Sequence, residues 1–380
     1  MFVTKIRRLH KEKAQALKTD RDVSALERSA RLTRAGALTL WPPMTRTGIL
    51  AGGNFIIDHV KLIDAWPEQD MLTFIRSETS SNGGGPYNVL KDLSAMRVGY
   101  PLEAAGLVGK DANGDWMLRD CRDAGIDTTQ LHQTDAAPTS YTDAMTVSST
   151  GRRTFFHQLG TNAVLGEAHF DFSRTQAKIF HLGYLMLLSE MDRLLDDGRS
   201  IASRVLEAAQ ASGLLTSVDL VSADHAEFRA ITEASLPFTD YLIVNEIEAG
   251  KVLERDLKST LPGLAAIQEA AQALLAKGVR REVIIHFEAG AVVAEKSGAV
   301  HHQPSLRLPK GFITGATGAG DAFAAGYLHG THEGWPVPER LKLAVCTAAA
   351  CLTHPTPSQG LRPVAECLKL AEELGFGEAE

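Results

Sequence analysis

Thr317-Gly318-Ala319-Gly320-Asp321-Ala322-Phe323-Ala324-Ala325-Gly326 is a glycine-rich turn running into a helix of small residues. Its physics suits an anion. Glycines let backbone N–H groups turn inward at a helix N-terminus, where unpaired donors and the positive end of the dipole hold phosphate oxygens. Asp321 falls in the first turn, positioned to take a proton from an attacking hydroxyl while the amides of Gly318, Ala319 and Gly320 steady the transferring group. Two plainer readings compete: a tight connection whose Asp merely favours the dipole, and a dinucleotide-binding glycine loop. The second wants a buried apolar strand directly before the turn, and Lys310-Gly311-Phe312-Ile313-Thr314 is a poor one.

Outward from this turn, short apolar runs alternate with longer helical patterns from Thr47 onward, the signature of βαβ units and a mostly parallel sheet covered by helices on both faces. Residues 216–220, 241–244 and 283–285 read as buried strands, and 200–211 and 265–275 as helices. Residues 58–76 and 141–157 break the rhythm and read as antiparallel strands. Two such insertions can pair into a small separate sheet, a lid over the end of the main sheet where ligands bind. Its exposed edges would invite pairing into a homodimer.

Two further segments carry polar chemistry. Asn245-Glu246-Ile247-Glu248 follows the strand-like run Tyr241-Leu242-Ile243-Val244. It reads equally as a capping box and as an Asn245/Glu248 pair that organises Mg²⁺ through water against nucleotide phosphates. Gly83-Gly84-Gly85-Pro86-Tyr87-Asn88 opens a helix. It is either a hinge or a place where backbone approaches a ligand and the Asn88 amide reads hydroxyls.

The chain has 380 residues, 44% hydrophobic and 22% charged, with a formal net charge of −7. That balance supports a large core, and the charge argues against a nucleic-acid partner and for a small molecule. Cys121, Cys346, Cys351 and Cys367 show no CxxC spacing, so a reducing cytoplasm is the simple reading. No stretch reaches the ~18–20 apolar residues of a membrane span. Residues 1–43 are dense in charge and read as an extension: a mobile appendage, a docking or targeting piece, or a mis-assigned start.

Taken together and in this order, the three motifs make the chain resemble the PfkB (ribokinase-like) family of carbohydrate kinases. Gly106-Leu107-Val108-Gly109-Lys110-Asp111 and Gly160-Thr161-Asn162-Ala163 are further landmarks, and the resemblance runs from about Thr47 to about Thr353. It implies a three-layer αβα sandwich over residues 44–375, with lid strands from about 56 to 78 and 138 to 158. It also implies in-line transfer from ATP, with Mg²⁺, to a hydroxyl of a small sugar-like substrate. By the same resemblance Asp321 is the catalytic base, and Gly318, Ala319 and Gly320 form the anion hole. Asn245 and Glu248 organise magnesium without a direct protein ligand. Asp58, Gly84, Gly85 and Asn88 hold the substrate, and Asn162 and His181 lie near it.

The departures from the family pattern are informative. Gly315-Ala316 stand where the family usually has Asp-Thr, which makes potassium activation doubtful. Ile56 and Gly85 stand where ribokinases carry Asn and Lys, so plain ribose is not the favoured substrate. Glu288 sits at an altered, shortened glycine turn beside the nucleotide. Arg152-Arg153 lies at a lid turn within reach of an anionic substrate, and the His301-His302 pair reads as a surface loop. The alternatives are a nucleoside (adenosine-like) kinase, with Tyr87, Phe156 or Trp66 stacking the base, and a catalytically silent sugar-binding protein of the same fold.

Overall fold

The computed structural model describes residues 46–258 and 263–378; the extension read at 1–43 lies outside them. Its strands are β1 (Ile49–Gly53), β2 (Ile56–Ile63), β3 (Ile75–Gly83), β4 (Leu102–Gly109), β5 (Asp127–Thr134), β6 (Tyr141–Val147) and β7 (Arg153–Gln158). Then follow β8 (Ile179–Leu185), β9 (Leu215–Leu220), β10 (Tyr241–Asn245), β11 (Glu282–Phe287), β12 (Gly290–Glu295) and β13 (Val300–Pro304). Nine of them form one sheet in the order β13-β12-β11-β10-β9-β8-β1-β4-β5. Pairing is parallel from β5 to β11, and β12 and β13 close the edge antiparallel.

Side chains alternate across a strand, and here both faces are apolar, as a sheet covered on both sides requires. Ile49, Ala51, Ile243 and Ile284 join the core beneath helices Gly85–Ala95, Ala319–His332, Val337–Cys351 and Val364–Leu374. Leu50, Leu242, Val244, Val283 and Ile285 join the opposite core, under helices Ile201–Ala211, Phe228–Ser235 and Leu264–Ala276. At about 1.5–3 kcal/mol for each large aliphatic side chain buried, these two cores dominate the stability of the three layers. The architecture is the αβα sandwich expected.

β1 lies between β4 and β8, so successive connections leave it in opposite directions. Such a reversal opens a crevice at the carboxyl ends of the strands. Gly53, Gly183-Tyr184, Asp219 and Asn245 all stand at that edge.

The remaining four strands form a separate sheet in the order β3-β2-β6-β7. It is mixed rather than wholly antiparallel: β2 pairs with β3 and β6 with β7 antiparallel, but β2 and β6 run parallel. The cause is topological. β2 leaves the carboxyl end of β1 and β6 that of β5, both outward, while β3 and β7 return. His301 and His302, expected in a loop, lie instead in β13, with His301 Nε2 2.6 Å from Glu295 Oε1.

Candidate active site

Helix Ala319–His332 begins at the crevice, and Gly318 caps it with φ 82° and ψ 1°, a left-handed conformation that favours glycine. A Cβ there would also lie 2.6 Å from Pro357 Cβ. The conformation turns the first amides of the helix, which have no intrahelical acceptor, toward the crevice. Asp321 follows in the first turn and is 4% exposed.

Both carboxylate oxygens of Asp321 are engaged. Tyr184 Oη donates to Oδ1 at 2.5 Å and Asn88 Nδ2 to Oδ2 at 2.8 Å. Burial pushes its carboxyl up to about 6, and the two hydrogen bonds oppose that rise. Asn88 comes from helix Gly85–Ala95, capped by Gly84. Its Oδ1 accepts from Asn82 Nδ2 at 2.7 Å, and Asn82 also reaches Ser358 Oγ at 2.9 Å. Asn88 is therefore tied to Asp321 and Asn82 rather than free to meet a ligand with its whole amide.

The lid supplies Asp58, on β2. Burial pushes its carboxyl up to about 7; the Thr142 hydroxyl holds it down, the Asp321 charge adds to the rise, and Arg153 opposes it. Arg153, the first residue of β7, donates to Thr317 Oγ1 and so ties the lid to the glycine turn. A cation thus stands beside both the candidate acceptor carboxylate and the candidate phosphate turn.

Asn245 and Glu248 form the capping box in full. Asn245 Oδ1 accepts from the amides of Ile247 and Glu248, and Glu248 Oε2 accepts from Asn245 N at 3.0 Å. Glu248 Oε1 accepts from Asn245 Nδ2 and Ser222 Oγ, each at 2.8 Å. The plain reading and the functional one hold the same residues in the same place. Burial raises the Glu248 carboxyl. Asp219, buried at the end of β9, is raised well above the ordinary range by burial and then by the charges of Glu248 and Asp321. These acids concentrate negative charge that a cation would relieve.

Asn162 lies in a turn after the lid, buried, with neither amide atom hydrogen-bonded. No hydrogen bond joins it to Asp58 or Asp321. His181 is buried in β8 with Nδ1 3.1 Å from Ser217 Oγ, and burial pushes its ring to about 4, so it is neutral at physiological pH. Tyr87, considered for base stacking, is fully buried and donates to Asp120 Oδ2 at 2.5 Å. Trp66 and Phe156 stack on each other, centroids 6.0 Å apart.

Sequence reasoning missed Tyr184, Asp219 and Asn82. A carboxylate closing the apolar run of β9 was a usable signal for Asp219, since an acid there is rarely buried without a role. Nothing in the pattern singled out Tyr184 or Asn82. On the other side of the glycine turn a cavity of about 800 Å³ opens among Asn245, His286, Phe287, Glu288, Phe323 and Ala349. Glu288 and Ala289 make the two-residue hairpin between β11 and β12.

Fold and site together define a ribokinase-like scaffold, with a glycine-capped helix and a buried carboxylate at the carboxyl edge of its sheet. The chain belongs to the pfkB family of carbohydrate kinases, whose family model matches residues 52–363. Among curated relatives it is 25% identical to the ATP-dependent ribose-1-phosphate kinase of Halopiger xanaduensis, over 74% of this chain and 83% of that one. It is 26% identical to adenosine kinase 1 of Arabidopsis thaliana (77% and 81%) and 22% identical to the 5-dehydro-2-deoxygluconokinase of Shouchella clausii (78% and 88%). Among solved structures, Arabidopsis thaliana ribokinase complexed with ribose and ATP matches with a TM-score of 0.71 at 20% identity, over 85% of this chain and 98% of that one. Thermotoga maritima ribokinase gives 0.70 at 18% identity, over 86% and 99%.

Proposed function

We propose that the chain transfers the γ-phosphoryl group of Mg²⁺-ATP to a hydroxyl of a small sugar, sugar acid or nucleoside. The observation that carries this is the placement of Asp321, in the same first helical turn as the Gly318, Ala319 and Gly320 amides and across the crevice from Asp58. A base, an anion cradle and a hydroxyl-binding carboxylate are the parts that in-line phosphoryl transfer needs.

In this reading Asp58 holds acceptor hydroxyls, with Gly84, Gly85, Asn88 and Asn162 shaping the wall. The acceptor O–H donates to Asp321, which takes the proton as the oxygen attacks phosphorus. The helix amides steady the charge on the transferring group. The cavity beside Glu288 has room for a nucleotide. Glu248 and Asn245, at the carboxyl end of β10, would hold Mg²⁺ through water. When bound, the ion supplies charge neutralisation to the phosphates.

Sugars and sugar acids are favoured over nucleosides, because Tyr87 is enclosed and Trp66 is taken up by Phe156. Arg153, between Asp58 and Thr317, favours an acceptor that carries negative charge. Incubation with Mg²⁺-ATP and a panel of neutral sugars, sugar acids, sugar phosphates and nucleosides, followed by phosphorus NMR, tests this. A new phosphate ester from an anionic sugar is the expected result. A product only from nucleosides would reverse the ranking, and none from any acceptor would sink the proposal.

A homodimer through the lid belongs to the same proposal. Met71, Leu72, Phe74 and Ile75 each expose half or more of their surface where the chain enters β3, an edge strand of the small sheet. A cluster of that size at an unpaired edge is a contact surface. Leu72→Glu together with Phe74→Glu is expected to convert a dimer to a monomer in sedimentation equilibrium; an unchanged mass would remove the lid from the interface. Four free, buried cysteines support a reducing cytoplasm as the place of work.

A further inference from the structure

We infer that Tyr184 is the positioning residue of the base: its hydroxyl holds Oδ1 of Asp321 in place, and its ring walls the acceptor site beside Gly85. The inference rests on the reading of Asp321 as base. Three contacts carry it. Tyr184 Oη donates to Asp321 Oδ1 at 2.5 Å. Its backbone N–H donates to Asn54 Oδ1 at 2.6 Å, which pins the residue at the end of the crevice. A Cβ on Gly85 would come within 2.8 Å of Tyr184 Cε1, so the ring lies directly on that glycine.

Each carboxylate oxygen accepts two hydrogen bonds. Tyr184 takes one position on Oδ1 and Asn88 one on Oδ2, which fixes the carboxylate plane and leaves a position on each oxygen for an acceptor hydroxyl. During transfer the acceptor O–H breaks, its proton goes to Asp321, and the new O–P bond forms as the bond to the leaving β-phosphate oxygen breaks. Tyr184 keeps its proton throughout.

Donors stabilise the ionised carboxylate, and Asp321 needs them. Asp58 from β2, Asp92 from helix Gly85–Ala95, Asp219 from β9 and Cys351 from helix Val337–Cys351 all lie close enough to feel its charge. Glu248 adds negative charge near Tyr184, and His286 of β11 packs against Gly320 with its ring held neutral. Arg153 is the cation on the lid side. Without the phenol, burial would keep Asp321 protonated to higher pH.

The test is Tyr184→Phe in the full chain, read by the carboxyl carbon-13 shift of Asp321 against pH in aspartate-labelled protein, with Asp321→Asn assigning the signal. Loss of one hydrogen bond to a charged group should move the midpoint up by roughly one to two pH units. The acid limb of kcat/KM should follow, with roughly fivefold to fiftyfold lost at pH 6 and near recovery at pH 9. An unmoved midpoint overturns the inference. If Tyr184→Phe lacks a cooperative thermal transition, 3-fluorotyrosine at position 184 replaces it. That stronger donor should lower the midpoint, and no change overturns the inference equally. Full activity in Asp321→Asn would instead end the base reading, while the carboxyl titration still decides whether Tyr184 governs Asp321.

Discussion

Asp321→Asn is expected to reduce kcat by about 10²–10⁴-fold, the usual loss for a general base, and at the same time to raise the melting temperature at pH 8. The two effects share one cause. The carboxyl sits at about 6 in the folded chain against an ordinary 3.8, so the folded state binds this proton more tightly than the unfolded one. Stability from this group is therefore greatest below the unfolded value and is lost as pH rises through the folded one. At neutral pH the cost is on the order of 3 kcal/mol. Asparagine keeps the shape and removes the charge, so the variant should melt a few degrees higher at pH 8, with the gap closing toward pH 5. In the wild type, kcat/KM should fall as pH drops through about 6, because the base must be ionised to accept a proton. Steady-state rates and calorimetry on both proteins across that range check all three points. A variant that retained half its activity would remove Asp321 from the chemistry, and one that melted lower would show that its hydrogen bonds outweigh its burial.

How far the sequence carried depends on how local each signal is. The layers were legible because apolar strands such as Tyr241-Leu242-Ile243-Val244 are short, buried on both faces and separated by helical periodicity. The glycine turn was legible because its backbone geometry needs glycine at Gly318. What could not be read was orientation across the crevice. Asn88 read as a group facing hydroxyls, but nothing local says that helix Gly85–Ala95 packs on helix Ala319–His332 and brings its amide 2.8 Å from Asp321 as well. Tyr184 was invisible for the same reason: an aromatic residue near the end of a strand is ordinarily core, and only the pairing of β8 beside β1 aims its hydroxyl at Asp321. The lid strands were readable as strands, but the parallel pairing of β2 with β6 follows from where each leaves the main sheet, which no window of sequence contains.

Gly318→Val is expected to lose about 10²–10³-fold in kcat, the scale set by removal of one oxyanion donor, with a raised KM for ATP and little change in KM for the acceptor. Two costs fall on the same position. A β-branched residue is strained at φ 82°, and its Cβ would lie 2.6 Å from Pro357 Cβ and 2.8 Å from Pro357 Cα. Backbone on the far side is not free to yield as a flexible side chain would, so the turn itself must shift, and the amides of Ala319 and Gly320 move with it. Asp58 lies on β2, outside the displaced turn, so acceptor binding should suffer less than ATP binding. Gly99→Val is the control: Gly99 has φ 79° but no atom within 4 Å of a built Cβ, so it bears the same backbone strain without displacing the cradle. It should lose stability and keep kcat. The residual rate of Gly318→Val should retain the acid limb near pH 6, because Asp321 is still present, whereas Asp321→Asn should lose that limb. If both glycine variants lost kcat alike, the effect would be general destabilisation and the helix N-terminus would have no special part in holding phosphate.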